Sequence, residues 1–247
     1  MHEASMHERN CFITLTYDDQ HLPPYNSLQY SHFQGFMKRL RFENPGVSIR
    51  YFVAGEYGEK LSRPHFHACL FGYDFSFLDC PPISRTSAGN VIYQSPVLDR
   101  LWGKGFCSIG ELNFQSAAYT ARYVMKKVTG SNAKFHYAAV DSDSGEVHQR
   151  TPEFCKMSLK PGIGAGWFSK YSSDVFNDDH VVINGFPSKP PRYYDVLLKR
   201  ISPDVLEDNK YGREIEGRKR YLDNTAERLI VREVVAKARL AFKKRVL

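Results

Sequence analysis

The sequence predicts an α+β fold with a helical extension at its C-terminus. Three observations carry that expectation. Short β-branched and aromatic runs, each bounded by turn residues, recur along the chain, as strands do. Between them lie stretches whose apolar residues fall three and four apart, the spacing of a helix that buries one stripe. From Pro203 to Leu247 the pattern turns helical and rich in Lys and Arg.

The elements follow in order. Met1 to Asn10 is polar, with Glu3 and Glu8, and suits a short helix beside the first strand rather than a signal peptide. Cys11 to Tyr17 (CFITLTY) reads as a buried strand, bounded by Asp18-Asp19. Pro23-Pro24 break the chain. Ser27 is placed to cap a helix running to about Phe42, with Phe33, Phe36, Met37 and Leu40 on one stripe, and Asn44-Pro45-Gly46 ends it. Ile49 to Gly55 and His65 to Phe71 are the next strands. The short polar link over 59–64 favours an antiparallel hairpin between them.

Residues 74–90 read as an insertion loop, with Pro81-Pro82 and Ser-Gly punctuation. Val91 to Tyr93 is a short strand. Ser95-Pro96 opens a helix to Trp102, framed by Gly103 and Gly105, and Phe106 to Ile109 is a further strand. Ser116 is placed to cap a helix from Ala117 to Val128, closed by Gly130. Residues 131–150 show no clear element, and Glu153 to Ser158 suits a strand. Gly162, Gly164 and Gly166 suit the glycine-rich start of a helix, since no strand with a phosphate-loop pattern precedes them. Pro190-Pro191 precede a short helix through Tyr193 and Leu198. The tail is broken by Gly212 and Gly217. The organisation expected is one domain over 1–202 and a basic helical tail over 203–247.

Composition narrows the function classes. With 42% hydrophobic and 14% aromatic residues in 247, the chain can build a core and is not a disordered segment. A net charge of +7 fits a polyanionic partner such as nucleic acid, or simply a soluble basic protein. The five cysteines, Cys11, Cys69, Cys80, Cys107 and Cys155, form no CxxC pair and read as reduced thiols of a cytosolic protein. No apolar run approaches the roughly 20 residues of a membrane helix, so no membrane role is expected.

The chemistry begins at His65-Phe66-His67. On a strand, residues i and i+2 share a face, so both imidazoles can reach one divalent ion. Chance alone supplies about 0.3 such pairs in a chain of this composition, and two hydrogen-bonded core histidines are the plain alternative. Glu56, at the end of the preceding strand, lies across from them if the hairpin forms. Two imidazoles and a carboxylate leave positions open on a metal, as catalysis needs. Otherwise Glu56 is a solvated turn carboxylate. Downstream, Tyr119 and Tyr123 stand four apart on one helical face, and Lys127 continues the step. A phenol, with a pKa of about 10, attacks a phosphate only if a metal draws charge from it and a cation lies close. The alternatives are tyrosines packed on the sheet and an exposed helix-end lysine.

FITLTYDD, RPHFHACLFG and AAYTARYVMKK, in this order and spacing, resemble the HUH endonucleases. The likeness is closest to the replication initiators of small single-stranded DNA phages, the gokushovirus type of microvirus. It extends through LWGKGFCSIGELNF and EFCKMSLKPGIGAGWF and covers roughly residues 10 to 200. The resemblance implies a central antiparallel sheet flanked by helices, an RRM-like palm. His65 and His67 would hold Mg2+ or Mn2+ with Glu56 as third ligand. Tyr119 and Tyr123 would be paired nucleophiles and Lys127 the assisting cation. One tyrosine would cut origin DNA, keeping a 5′-phosphotyrosine and freeing a 3′-OH, and strand transfer would later close a circle. The implied partners are single-stranded origin DNA and a host helicase and polymerase in the bacterial cytoplasm.

Thr14, Thr16, Asp18 and Asp19 receive no chemical task from the sequence; the two aspartates suit a surface turn. Arg85, Arg100, Lys104, Lys156, Lys160, Lys170, Lys189 and Arg192 lie among aromatic or loop segments, where a single strand can bind. Arg213, Arg218, Lys219 and Arg220 form the densest charge run, a solvated helix face or a DNA arm. Two rival readings stand beside the initiator. A transposase or relaxase would share its chemistry, and a non-catalytic single-strand-binding module would need neither the histidine pair nor the tyrosine pair.

Overall fold

The computed structural model describes residues 1–58, 61–86, 89–141 and 143–242, with 124 and 125 described by their backbone alone. The start of the expected 59–64 turn, two residues of the 74–90 loop and the end of the tail lie outside the described residues. The chain divides into two compact units, Met1–Ile163 and a second beginning at Gly164.

The first unit runs β1 (Asn10–Thr16), α1 (Tyr30–Glu43), β2 (Arg50–Tyr57), β3 (Pro64–Phe71), β4 (Pro82–Arg85), β5 (Val91–Tyr93) and α2 (Pro96–Trp102). It continues with β6 (Cys107–Gly110), α3 (Phe114–Arg122), α4 (Ala133–His136), β7 (Ala138–Val140), β8 (Val147–Gln149) and β9 (Phe154–Met157). Seven strands make one sheet in the order β4-β5-β6-β1-β3-β2-β9, and every neighbouring pair is antiparallel. This is the α+β architecture expected, with a helical C-terminal region.

Alternation decides which residues face the core. On one side of the sheet Ile13 and Leu15 of β1, Val53 of β2 and Phe66, Ala68 and Leu70 of β3 are buried. They meet the α1 stripe of Phe33, Phe36, Met37 and Leu40, and Leu98, Leu101 and Trp102 of α2. Each large side chain in that layer stabilises the fold by about 1.5–3 kcal/mol relative to exposure. The opposite side carries Phe12, Cys69 and Phe71, which pack with Leu112 and, from α3, Ala117 and Tyr119. Further along the same strands that second face turns polar, and there the candidate site lies. Gly105 lets the β1 end close against the loop before β6: at φ 135° it has no Cβ, which would stand 2.2 Å from the Asp18 amide nitrogen.

Several boundaries move for identifiable reasons. Ser27 does not cap α1; it precedes the helix, and its hydroxyl accepts from the Thr151 amide instead. β2 runs on to Tyr57, because Glu56 and Tyr57 pair with His65 and Pro64. The expected insertion loop contains a 3-10 turn, Phe77–Asp79, and the edge strand β4, which pairs with β5. Within 131–150 a hairpin, β7–β8, forms around Asp141, whose carboxylate accepts from the Asp143 and Ser144 amides. The α3 cap is Asn113, with Ser116 as its reciprocal partner three residues on. α3 ends at Arg122, and a 3-10 turn over Tyr123–Lys126 follows.

The second unit contains α5 (Ala165–Phe176), β10 (Val181–Ile183), β11 (Phe186–Ser188), α6 (Arg192–Ile201), α7 (Pro203–Lys219) and α8 (Ala226–Phe242). Gly164, at φ 86°, starts α5, as the glycine spacing suggested. Phe168, Val175, Phe176, Tyr194, Leu198 and Leu206 make its core. α7 passes through Gly212 and Gly217 unbroken, and the interruption falls at the 3-10 turn Tyr221–Asn224. Arg213 is a structural clamp: its guanidinium pairs with Asp179 and Asp195. The five cysteines are free thiols, three of them buried. Among the described residues, no helix is long and apolar enough to cross a membrane.

Candidate active site

The β2–β3 register builds the centre of the site. Glu56 stands directly opposite His65, and His67 follows two residues on, so all three project from one face. Their ligand atoms lie within 4.8 Å of one another. Glu56 Oε1 is 2.7 Å from His65 Nε2 and 3.1 Å from His67 Nε2. The other ring nitrogens are held from behind. His65 Nδ1–H donates to the Arg63 carbonyl at 3.0 Å, and His67 Nδ1 lies 3.0 Å from Thr14 Oγ1. Both Nε2 atoms therefore converge on one carboxylate oxygen. Two imidazole nitrogens and a carboxylate on a single face fit a divalent ion with coordination positions left over.

Burial sharpens the electrostatics. Glu56 is only 2% exposed. Burial by itself pushes its carboxyl up, but hydrogen bonds from His65 and His67 outweigh it and hold Glu56 well below the usual carboxylate range. His67 is pushed down to about 4, first by burial, with the Glu56 contact opposing. At neutral pH the site thus offers a carboxylate and an uncharged His67 ring, the forms that bind metal.

The tyrosines close over this centre. The Tyr123 ring stacks on His67, with centroids 4.9 Å apart and planes 7° apart, and meets Tyr119 edge-on at 4.7 Å. Tyr119 also lies edge-on to His67 at 5.2 Å. Tyr123 is buried and Tyr119 half-buried. Burial, then the Glu56 carboxylate and Tyr119, pushes the Tyr123 phenol far above its ordinary range, so it rests as O–H. The α3 segment that carries the tyrosines is fixed at its start by the Asn113–Ser116 box. Midway, Thr120 is buried and its hydroxyl donates to the Ser116 carbonyl.

Glu56, His65, His67, Tyr119 and Tyr123 are brought together as the sequence pattern suggested; Lys127 is not. It is exposed, with non-helical backbone, because the helix has given way at Tyr123 and the four-residue step is lost. Lys126 stands in that place. Its Nζ is 2.5 Å from Glu56 Oε2 and 4.7 Å from the centre of the Tyr123 ring. The signal was the three-residue spacing from Tyr123, which eclipses side chains in a 3-10 turn. Thr14 was also missed, and only the β1–β3 register, which sets it opposite His67, reveals it.

Asp18 and Asp19 bind His21 and Arg63 in the surface turn. Of the basic residues considered for DNA, Arg100 is engaged bidentately by Glu43, and Arg218 and Lys219 pair along α7 with Glu214 and Glu216.

Known proteins resemble this chain. Residues 10–128 match the family model of the replication-associated protein ORF2. The replication-associated protein VP4 of Bdellovibrio phage phiMH2K is 34% identical over 91% of this chain and 71% of its own length. ORF2 of Spiroplasma virus 4 is 34% identical over 78% of this chain and 59% of its own, and ORF4 of Chlamydia phage 1 is 33% identical over 85% and 51%. Both are also named replication-associated proteins, and the chain spans less than two thirds of either. No solved structure matches the chain.

Proposed function

The chain belongs to the family of phage replication-associated proteins, and from that premise we propose that it is a metal-dependent endonuclease of the HUH type. It nicks single-stranded origin DNA with a tyrosine to start rolling-circle replication. One observation carries the reading: two imidazole Nε2 atoms meet on Glu56 while Tyr123 stacks on one of those rings.

Glu56, His65 and His67 would hold Mg2+ or Mn2+, which draws charge from the scissile phosphate when bound. The phenol oxygen then forms a bond to phosphorus as the bond from phosphorus to the 3′ oxygen breaks. The phenol loses a proton and the departing oxygen gains one, leaving a 5′-phosphotyrosine and a 3′-OH. The phosphodiester energy is kept, so rejoining needs no nucleotide cofactor. Lys126 is the cation placed to offset charge that builds on the phosphate, and Lys127 is not. Because Tyr119 and Tyr123 touch, one can carry the strand while the other attacks the regenerated origin. The 3′-OH would be extended by a host polymerase, with a host helicase opening the duplex, inside the bacterial cell.

The test is the double variant His65→Ala, His67→Ala. It should abolish cleavage of origin DNA while single-strand binding persists. Undiminished cleavage would remove the metal site from the reaction.

A further inference from the structure

The FITLTY strand brings two threonines against the histidines. β1 pairs with β3 so that Thr14 faces His67 and Thr16 faces His65. Thr16 acts through its backbone, exchanging hydrogen bonds with Phe106 and accepting from the Trp102 indole. Thr14 acts through its side chain: its Oγ1 lies 3.0 Å from His67 Nδ1.

The two histidines are therefore backed by different chemistry. Behind His65 is the Arg63 carbonyl, which only accepts, so that Nδ1 must carry the proton. Behind His67 is a hydroxyl, which donates or accepts. Without metal, His67 Nε2 lies 3.1 Å from a Glu56 oxygen, and a carboxylate only accepts. His67 then carries its proton on Nε2, and Nδ1 accepts from Thr14. With an ion on Nε2, that nitrogen must offer its lone pair, so the proton must sit on Nδ1 and donate to Thr14. His67 is buried, so an unpaired Nδ1 would be costly in either state.

We infer that Thr14 is the positioning residue that lets His67 exchange tautomers as metal enters and leaves. One proton leaves Nε2 and one is taken up at Nδ1, with no net change. The hydroxyl turns about its Cβ–Oγ bond and stays bonded in both states. A group that only accepts or only donates would favour one state over the other. This inference rests on Glu56, His65 and His67 being metal ligands.

The experiment is calorimetric titration of Mn2+ into the full chain, comparing wild type, Thr14→Val, Thr14→Ser and His65→Ala. Thr14→Val should weaken Mn2+ by about 10- to 100-fold, and Thr14→Ser, which keeps the hydroxyl, by no more than about 3-fold. Wild-type affinity in Thr14→Val, with affinity lost in His65→Ala, overturns the role of Thr14 and leaves the metal site standing. A wild type that binds no Mn2+, or binds it equally well after His65→Ala, overturns both. Should Thr14→Val fail to fold, the imidazole 15N shifts of His67 in the wild type decide the matter. A proton that moves from Nε2 to Nδ1 on adding Mg2+ supports the inference, and an unchanged tautomer contradicts it.

Discussion

At the scale of single residues, adjacent lysines separate in role. Lys126 touches Glu56 and covers Tyr123, whereas Lys127 is exposed. Lys126→Ala should slow nicking by about 10²–10³-fold, the cost of losing one preorganised charge partner in a phosphate site. Lys127→Ala should change it by less than about 3-fold, and single-turnover rates on an origin oligonucleotide distinguish them. The tyrosines form a second pair of tests. Tyr119→Phe and Tyr123→Phe together should remove all covalent adduct, and an adduct that survives would move the nucleophile elsewhere. The sign of the acid response follows from His67. Its folded value of about 4 lies below the roughly 6.5 of a free imidazole, so the unfolded chain takes up the proton first as pH falls. With metal removed by EDTA, this contribution to stability is complete above about pH 6.5 and is lost toward pH 4. Glu56, also lowered, extends the loss further into acid. Urea midpoints at pH 7.5 and 5 should diverge in the wild type more than in His67→Asn; equal divergence would contradict this.

Among the elements, what could be read in advance depended on whether local pattern or distant contact decided the outcome. β1, β3 and α1 were legible because alternation and the Phe33-to-Leu40 stripe determine which face is buried. Phe36→Ala should therefore cost about 3–5 kcal/mol in urea denaturation, as a large hole in that layer. The end of α3 was not legible. Nothing local stops a helix inside TARYVMKK, but the structure places Lys126 on Glu56, seventy residues away in sequence, and there the backbone is a 3-10 turn. The metal-ligand pattern was legible from His-x-His and a hairpin. Thr14 was not, because a register across β1 and β3 cannot be counted from spacing alone. The β7–β8 hairpin was hidden for a similar reason: it is held by the Asp141 turn rather than by an apolar pattern.

For the molecule as a whole, the two units carry separate kinds of stability. The first rests on a sheet covered by helices, with a polar patch left on one face. The second depends in part on Arg213, which joins Asp179 and Asp195. Arg213→Ala leaves two carboxylates facing each other and should destabilise that unit while the metal affinity of the first is kept. Limited proteolysis beside Mn2+ titration would separate the two effects. The net charge of +7 thus overstates the basic surface free for DNA, since several of the densest cations serve ion pairs. The central claim, a metal-dependent tyrosine nick, is tested most directly by incubating the protein with short single-stranded DNAs tiled across a phage replication origin, with Mn2+ or with EDTA. A covalent adduct on a denaturing gel, at one sequence and only with Mn2+, is the result predicted. Binding without adduct on every tile, or an adduct that persists in EDTA, would contradict it.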